Sequence, residues 1–443
     1  MGVQTDPTAP VNVQGEQASD SRRRRRWPII TTGILAALAV VVWALGRDEP
    51  PPDDSWMAVE LLNPPDDQNA YIQLVSIARQ LPKHDWDPDD PDSVSLQDLV
   101  KGTKQDEALR AKLRTNAAPL WPLVRAALEQ PMSEVPMWRS LSEMDLSAIG
   151  ALREITWHSM LETQALFQNE QEEAAIEQIE LSLKMGETVI QGRGPLIHRL
   201  VATAMQGTVV GSLPEITRHS RLSKKSLLTI NNLLERHRPR PSDFRDTLKR
   251  EYTFWLMVEG AEDMRKMLGE VNAIESLLLK SGITHKPNQT RRLWLEHLEN
   301  FMPLLEEDSL GFAEKSQLLN DKIGHADPWL INRVGHQLLE SIAPAVTKTY
   351  ETTYRQQSLI SATQTLLAIR AYQLDHDNAL PDSLDVLVPD YLPSVPLDHM
   401  DFAPIRYSKE HRAIWSIGTG GDFDATTIDD DEGDPAQIVL RIP

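Results

Sequence analysis

Residues 22–46 read RRRRRWPIITTGILAALAVVVWALG: five arginines, then Trp27-Pro28, then an apolar run from Ile29 to Leu45 without a charge. Crossing a hydrocarbon core takes about 17–25 helical residues, and this run stands at the lower end of that range. A lone segment in lipid must satisfy every backbone N–H and C=O within itself, so it has to be helical. Asp48, Glu49, Asp53 and Asp54 follow, with Arg47 as the compensating base. Positive charge before the run keeps the N-terminus in the cytoplasm and sends everything after Gly46 across the membrane. Trp27 and Trp43 suit the two interfaces. A buried core helix fits less well, because the run has no polar face. A cleaved signal peptide is the other alternative, since Ala44-Leu45-Gly46 has the small-x-small form. The long polar region before the arginines and the length of the run favour a retained anchor.

The rest is an acidic, folded chain. It has 443 residues, of which 41% are hydrophobic, with 11 tryptophans available for a core and a formal charge of −20. Removing residues 1–46, where five arginines stand against Asp6, Glu16 and Asp20, leaves −22 on the exported part. A field of that sign disfavours nucleic acid and anionic lipid head groups as partners of the exported part. Arg22–Arg26 could be drawn as a nucleic-acid patch or a twin-arginine export signal. Beside an apolar run, its role is topology and lipid head-group contact. Without cysteine there is no disulfide, thiolate zinc site or lipoprotein signal.

Composition divides the chain into five stretches. Residues 1–26 are expected to be a disordered cytoplasmic tail ending in the arginine run, and 27–46 the transmembrane helix. Residues 47–94 read as spacer and loops. Pro50-Pro51-Pro52 among acids makes a stiff linker that holds the ectodomain off the membrane. Proline and aspartate cluster again at Pro64–Asp67 and Asp85–Asp92.

Residues 95–355 carry a helical period, beginning with Leu96, Leu99 and Val100. Glu107–Arg114 continues in good helix formers, and Pro119, Pro122 and Pro131 break the next stretch into short pieces. A helical hairpin then presents Ile149, Leu152, Met160 and Phe167, turns at Gln168–Glu170, and returns with Ala175, Ile179, Leu183 and Ile190. Gly192-Arg193-Gly194 ends it, and Pro195 opens a third helix with Leu196, Leu200, Ala204 and Val210. Gly207 and Gly211, four apart, predict close helix packing. Ser242 reads as the N-cap of a helix through Phe244, Leu248, Trp255 and Met264. Further helices fall around Thr290–Leu305 and Trp329–Tyr354. No repeat of fixed period emerges, so the expectation is mainly α: an irregular helical bundle or α-solenoid-like ectodomain.

Residues 356–443 differ. After a helix over Gln356–Leu374 come LPDSLDVLVPDYLPSVPLD (380–398), IRYS (405–408), AIWSIGTGG (413–421) and an acidic run. Alternation in Ile405–Tyr407, Ala413–Ile417 and Ile438–Ile442 predicts short strands, and one helix packed on a small antiparallel sheet makes an α+β module. This order of motifs resembles the globular half of the major pseudopilins of type II secretion. The layout as a whole, including GRGPLIHRLVATAMQG (192–207), is similar to bacterial single-pass envelope proteins that join a helical ectodomain to such a tail. The resemblance implies an inner-membrane protein with a periplasmic ectodomain, envelope proteins as partners and a secretion-related role. Pseudopilins place their membrane segment in the first half of this same helix, behind a peptidase site and with a glutamate near its start. Here the anchor lies roughly 300 residues earlier and lacks that glutamate, which speaks against assembly into a fibre.

The resemblance also implies calcium, which the corresponding loop of that family binds. Asp422, Asp424 and Asp431 are the preferred ligands among the loop acids, since Ca²⁺ takes six to eight hard oxygens. The spacing is not an EF-hand: Thr426 and Thr427 fall at the fifth and sixth positions from Asp422. A solvated acidic loop is the plain alternative.

Other chemistry leaves no motif. There is no HExxH, phosphate-cradling GxxxxGK[ST], GxSxG or dinucleotide fingerprint. Gly186–Gly194 holds three glycines without a preceding strand or the required lysine. Asp375-His376-Asp377 could be an acid/base or metal cluster, but at a helix end His376 is explained by the macrodipole and solvent. His198 reads as packed or capping, and Glu296, His297 and Glu299 as surface pairs. The expected function is a non-enzymatic, membrane-anchored envelope scaffold that docks other proteins. The alternative is an exported enzyme whose site is assembled from distant helices; a deep pocket lined by convergent acids or histidines would favour it.

Overall fold

The structure is a computed structural model that describes residues 32, 34–82, 87, 89–90, 93–137, 145–219, 222–258, 279–324, 331–418, 421–424 and 437–443. The tail 1–26, Trp27 and most of the loop 85–92 lie outside the described residues. Residues 34–46, which take in most of the apolar run, form helix α1. Then come α2 (Ala70–Ala78), α3 (Leu96–Lys101), α4 (Glu107–Ala117), α5 (Trp121–Leu128), α6 (Leu146–Gln168) and α7 (Glu172–Gln191). They are followed by α8 (Leu196–His219), α9 (Lys224–Arg236), α10 (Pro241–Val258), α11 (Pro287–Phe301), α12 (Ser309–Gly324) and α13 (Arg333–Asp375). The protein is mainly α, with one three-stranded antiparallel sheet near the C-terminus: β1 (Arg406–Ser408), β2 (Ala413–Trp415) and β3 (Val439–Arg441). Among the described residues no helix is long and apolar enough to cross a membrane.

Local chemistry explains most boundaries. Ser95 and Asp98 form a reciprocal capping box at the start of α3, and Gly102, at φ +73°, closes it. Asp145 caps α6 through the Ala148 N–H, and Ser223 caps α9 through that of Ser226. Pro241 itself opens α10, so Ser242 stands inside the first turn and not at the cap. The α6–α7 hairpin buries Ile149, Leu152, Met160, Phe167, Ala175, Ile179 and Leu183, and Glu170 takes the positive φ that its turn requires.

In α8 the buried face is set by Ala202, Met205, Val209, Val210 and Leu213; Leu200 and Ala204, expected inside, are exposed. A Cβ at Gly207 or Gly211 would meet nothing within 4 Å, so these glycines do not mediate close packing. That role falls to Gly186 on α7, where a Cβ would lie 2.7 Å from the Gln206 Cγ.

The largest difference concerns α13. Helices expected separately over Trp329–Tyr354 and Gln356–Leu374 are one 43-residue helix that runs through Pro344. Position 356 therefore falls inside a continuous element. The first half of α13 contributes Tyr350 and Tyr354 to a core with Phe244, Trp294, Phe301 and Phe312. Its second half contributes Ile360, Leu366, Leu367 and Ile369 to another core. That second core takes in Leu99 of α3, Ile179 of α7, Ile230 of α9, and Leu387, Ile405, Ile414 and Ile438 from the C-terminal segment. A third core joins α2 and α5 to the starts of α6 and α8.

Candidate functional site

The acidic loop follows β2. Asp422 and Asp424 both lie exposed on it, while Phe423 between them packs on the Ala413 and Trp415 cluster and donates its N–H to the Ile417 carbonyl at 3.0 Å. Asp431 lies outside the described residues. Among the described residues no group of three or more His, Asp or Glu side chains is placed to hold a metal ion.

The carboxylate that organises this end of the protein is buried. Asp398, the last residue of the Pro- and Asp-rich motif, is fully buried. Its Oδ1 accepts from Ser358 on α13 at 2.7 Å, Ser416 at 2.9 Å and the Met400 N–H at 3.1 Å. Its Oδ2 accepts from the Ile417 N–H at 2.8 Å and pairs with Arg406 on β1 at 2.7 Å. One anion thus joins helix, loop and sheet, with donors enough to offset its desolvation. Arg406 also holds Asp401, whose carboxyl it keeps below the usual range.

The other sequence candidates separate. Asp375 is engaged by Lys224 and by the Tyr391 hydroxyl at 2.6 Å. His376 stacks on Tyr372 with ring centroids 3.8 Å apart. Glu296 does pair with Arg292 on the helix surface. His297 does not belong there: it is buried, stacked between Trp294 and Phe301, and neither ring nitrogen has a hydrogen-bond partner among the described residues. Burial holds its pKa down, to about 4. His198 is likewise buried, its Nε2 2.8 Å from the Tyr71 hydroxyl, and burial, then Arg250, pushes it down to about 3.

Two features were not legible in the sequence. The first lies just after α1. Asp48 accepts from the backbone N–H groups of Asn288 at 2.8 Å and Gln289 at 3.2 Å, so a residue 240 positions away caps α11. Arg292 grips Glu49 through two nitrogens, at 2.7 and 3.3 Å. Asn288 donates to the Glu49 carbonyl and Lys286 to that of Arg47, at 2.8 and 2.7 Å. The Tyr252 hydroxyl holds Asp54 at 2.8 Å. The expected stiff spacer is therefore fastened down at both ends, and α2 lies within the stretch expected to be loops. Of the spacer's acids, Asp48 meets a helix N-terminus and Glu49 an arginine.

The second feature is a polar cavity of about 390 Å³ where α7 and α8 face the α9–α10 turn. His237, buried, directs Nδ1 to the Glu187 carboxylate at 2.7 Å, which lowers the Glu187 pKa. Its Nε2 has no hydrogen-bond partner among the described residues. Arg193, Arg236, Arg238 and Arg240 line the same cavity, with Asp243 and Asp246 at its side. Near the start of α8, Arg199 is buried with none of its three guanidinium nitrogens hydrogen-bonded among the described residues. A carboxylate orienting an imidazole beside several arginines can bind an oxyanion or move a proton. No family model, curated protein or solved structure matches the chain.

Proposed function

We propose that the chain is a single-pass protein of a bacterial inner membrane, with a cytoplasmic N-terminus and a periplasmic ectodomain that scaffolds or docks other envelope proteins. The observation that carries this reading is α1. Its apolar side chains project without protein cover, Leu35 at 66% and Trp43 at 67% exposure, while the residues immediately after it are fastened to α11. An apolar helix left bare beside a docked linker fits a helix covered by lipid. The pseudopilin-like reading of the C-terminal segment is supported by a helix packed on a β1-β2-β3 antiparallel sheet whose second and third strands are separated in sequence by the acidic run. That segment would supply the recognition surface, where Val386, Leu397 and Phe402 are exposed.

Protease treatment of spheroplasts and carbonate washing test the topology. A carbonate-resistant band trimmed from outside supports it, and a soluble product starting near Arg47 defeats it. Pull-down from gently solubilised membranes tests the docking role. Partners lost with Val386→Glu and Phe402→Glu support it, and an unchanged set argues against it.

The cavity at Glu187 and His237 favours a second reading, an exported solute-binding protein or enzyme that takes a small anion. Phosphate or citrate should raise the melting temperature of the intact protein, and His237→Ala should abolish the rise. No shift with either anion would remove this reading.

A further inference from the structure

The end of α1 is not attached through a flexible joint. Gly46 lies in backbone contact with Ser281 and Gly282: a Cβ on Gly46 would collide with the Ser281 carbonyl oxygen, and one on Gly282 would lie 2.6 Å from that of Gly46. Gly282 also takes φ +76°, a conformation that other residues avoid. From there the chain goes straight into the bonds of Arg47, Asp48 and Glu49 with Lys286, Asn288, Gln289 and Arg292. The loop they reach is itself tied to α13. The Asn332 N–H donates to Ile283 and that of Val334 to Thr284, both at 2.8 Å, and the Asn332 side chain accepts from the Lys286 N–H at 2.8 Å.

This face has its own chemistry. Residues 279–286 and 331–336 carry Lys280, Lys286 and Arg333, with His285 and His336, and no aspartate or glutamate. The whole chain has 65 acidic residues against 45 basic ones, so an acid-free basic rim departs from the surface around it. Lys280, Ile331 and Arg333 are exposed. Asp48 and Glu49, which reach this loop, are taken up by the α11 N-terminus and by Arg292.

We infer that the ectodomain sits on the bilayer in one fixed orientation, with the loop 280–286 and the first turn of α13 resting on anionic lipid head groups. The inference rests on the anchor reading of α1 and adds which face meets the membrane and which lipid chemistry it meets. Because α1 ends level with Ser281, the loop lies at the depth where a membrane helix leaves the hydrocarbon. Basic side chains there are attracted by anionic head groups, an attraction that salt screens.

The chain has no cysteine of its own, so single introduced cysteines report single positions. Full-length protein carrying Ile331→Cys, Lys280→Cys or, as a distant control, Glu410→Cys is labelled with a fluorophore. It is then reconstituted into phosphatidylcholine vesicles with and without phosphatidylglycerol, each containing a head-group quencher. The expected result is several-fold stronger quenching at 331 and 280 than at 410. The difference should be larger with phosphatidylglycerol and should shrink with added salt or with Arg333→Glu. Equal quenching at all three positions in protein that survives carbonate washing overturns the inference while leaving the anchor standing. Protein that washes out of the vesicles overturns both. Stronger quenching at 331 and 280 that ignores lipid charge overturns the anionic head-group contact alone.

Discussion

A histidine with neither nitrogen hydrogen-bonded among the described residues, held between Trp294 and Phe301, is a single-residue liability. Both states are neutral above pH 6.5, so His297 then adds nothing to the pH dependence. As pH falls below 6.5 the unfolded chain takes up a proton and the folded one resists until about 4. Stability therefore drops through that window at up to about 1.4 kcal/mol per pH unit. His297→Phe keeps a ring in the stack and removes two unpaired polar atoms. It should stabilise the protein by about 1 kcal/mol at neutral pH and flatten part of the acid slope, read from urea midpoints across pH 4–7. His198 and His399, held down to about 3 and about 4 by burial, add slope of the same sign. Asp398→Asn acts in the opposite direction. It removes one charge of a buried pair and turns an amide donor toward groups that also donate, a loss of about 3–5 kcal/mol in denaturant titrations. Position 297 misleads in the sequence because Glu296 and Glu299 flank it. Trp294, Leu298 and Phe301 on the same helix face are the better signal, since spacing, not neighbours, decides which way a helical residue points.

Between elements, capping and close approach matter most. Asp48→Ala uncaps α11 from outside and should cost about 1 kcal/mol, with faster amide exchange at Asn288 and Gln289 than elsewhere in that helix. Gly186→Val drives a side chain into Gln206, whose amide bridges the His237 carbonyl and Gln356. A loss of about 1–3 kcal/mol is expected in thermal melts. Most of the helices and the three strands were readable because burial periods of 3.6 and 2 are local properties; α2 fell in a stretch expected to be loops, α9 and α12 were not singled out, and the strand ends moved by at most two residues. The Arg47–Asp54 linker was not readable. Its partners lie some 200 residues or more away in sequence, and composition alone described a chain in water. The Glu187–His237 pair and its arginines escaped for the same reason, being assembled from α7, α8 and the α9–α10 turn with no motif between them.

At the scale of the molecule, the C-terminal segment is not an appendage. Ending the chain at Arg355 would remove half of α13 and strip a core that α3, α7 and α9 also use. The truncated protein should show no cooperative thermal transition by far-UV circular dichroism, whereas an independent module would leave the helical body melting normally. The sequence hid this because composition shifts near 356 while the helix does not stop there: Pro344 is accommodated, and the change in composition follows the onset of the sheet. With its 43 residues α13 is a rod of about 64 Å. Its first turn is bonded to the loop that touches Gly46, and its far half carries the sheet. A pull on the sheet therefore travels down one uninterrupted backbone to the end of α1. On the proposed anchor reading of α1, α13 is a lever with its fulcrum at the Gly46–Gly282 contact, so a load taken up by the sheet becomes torque on α1.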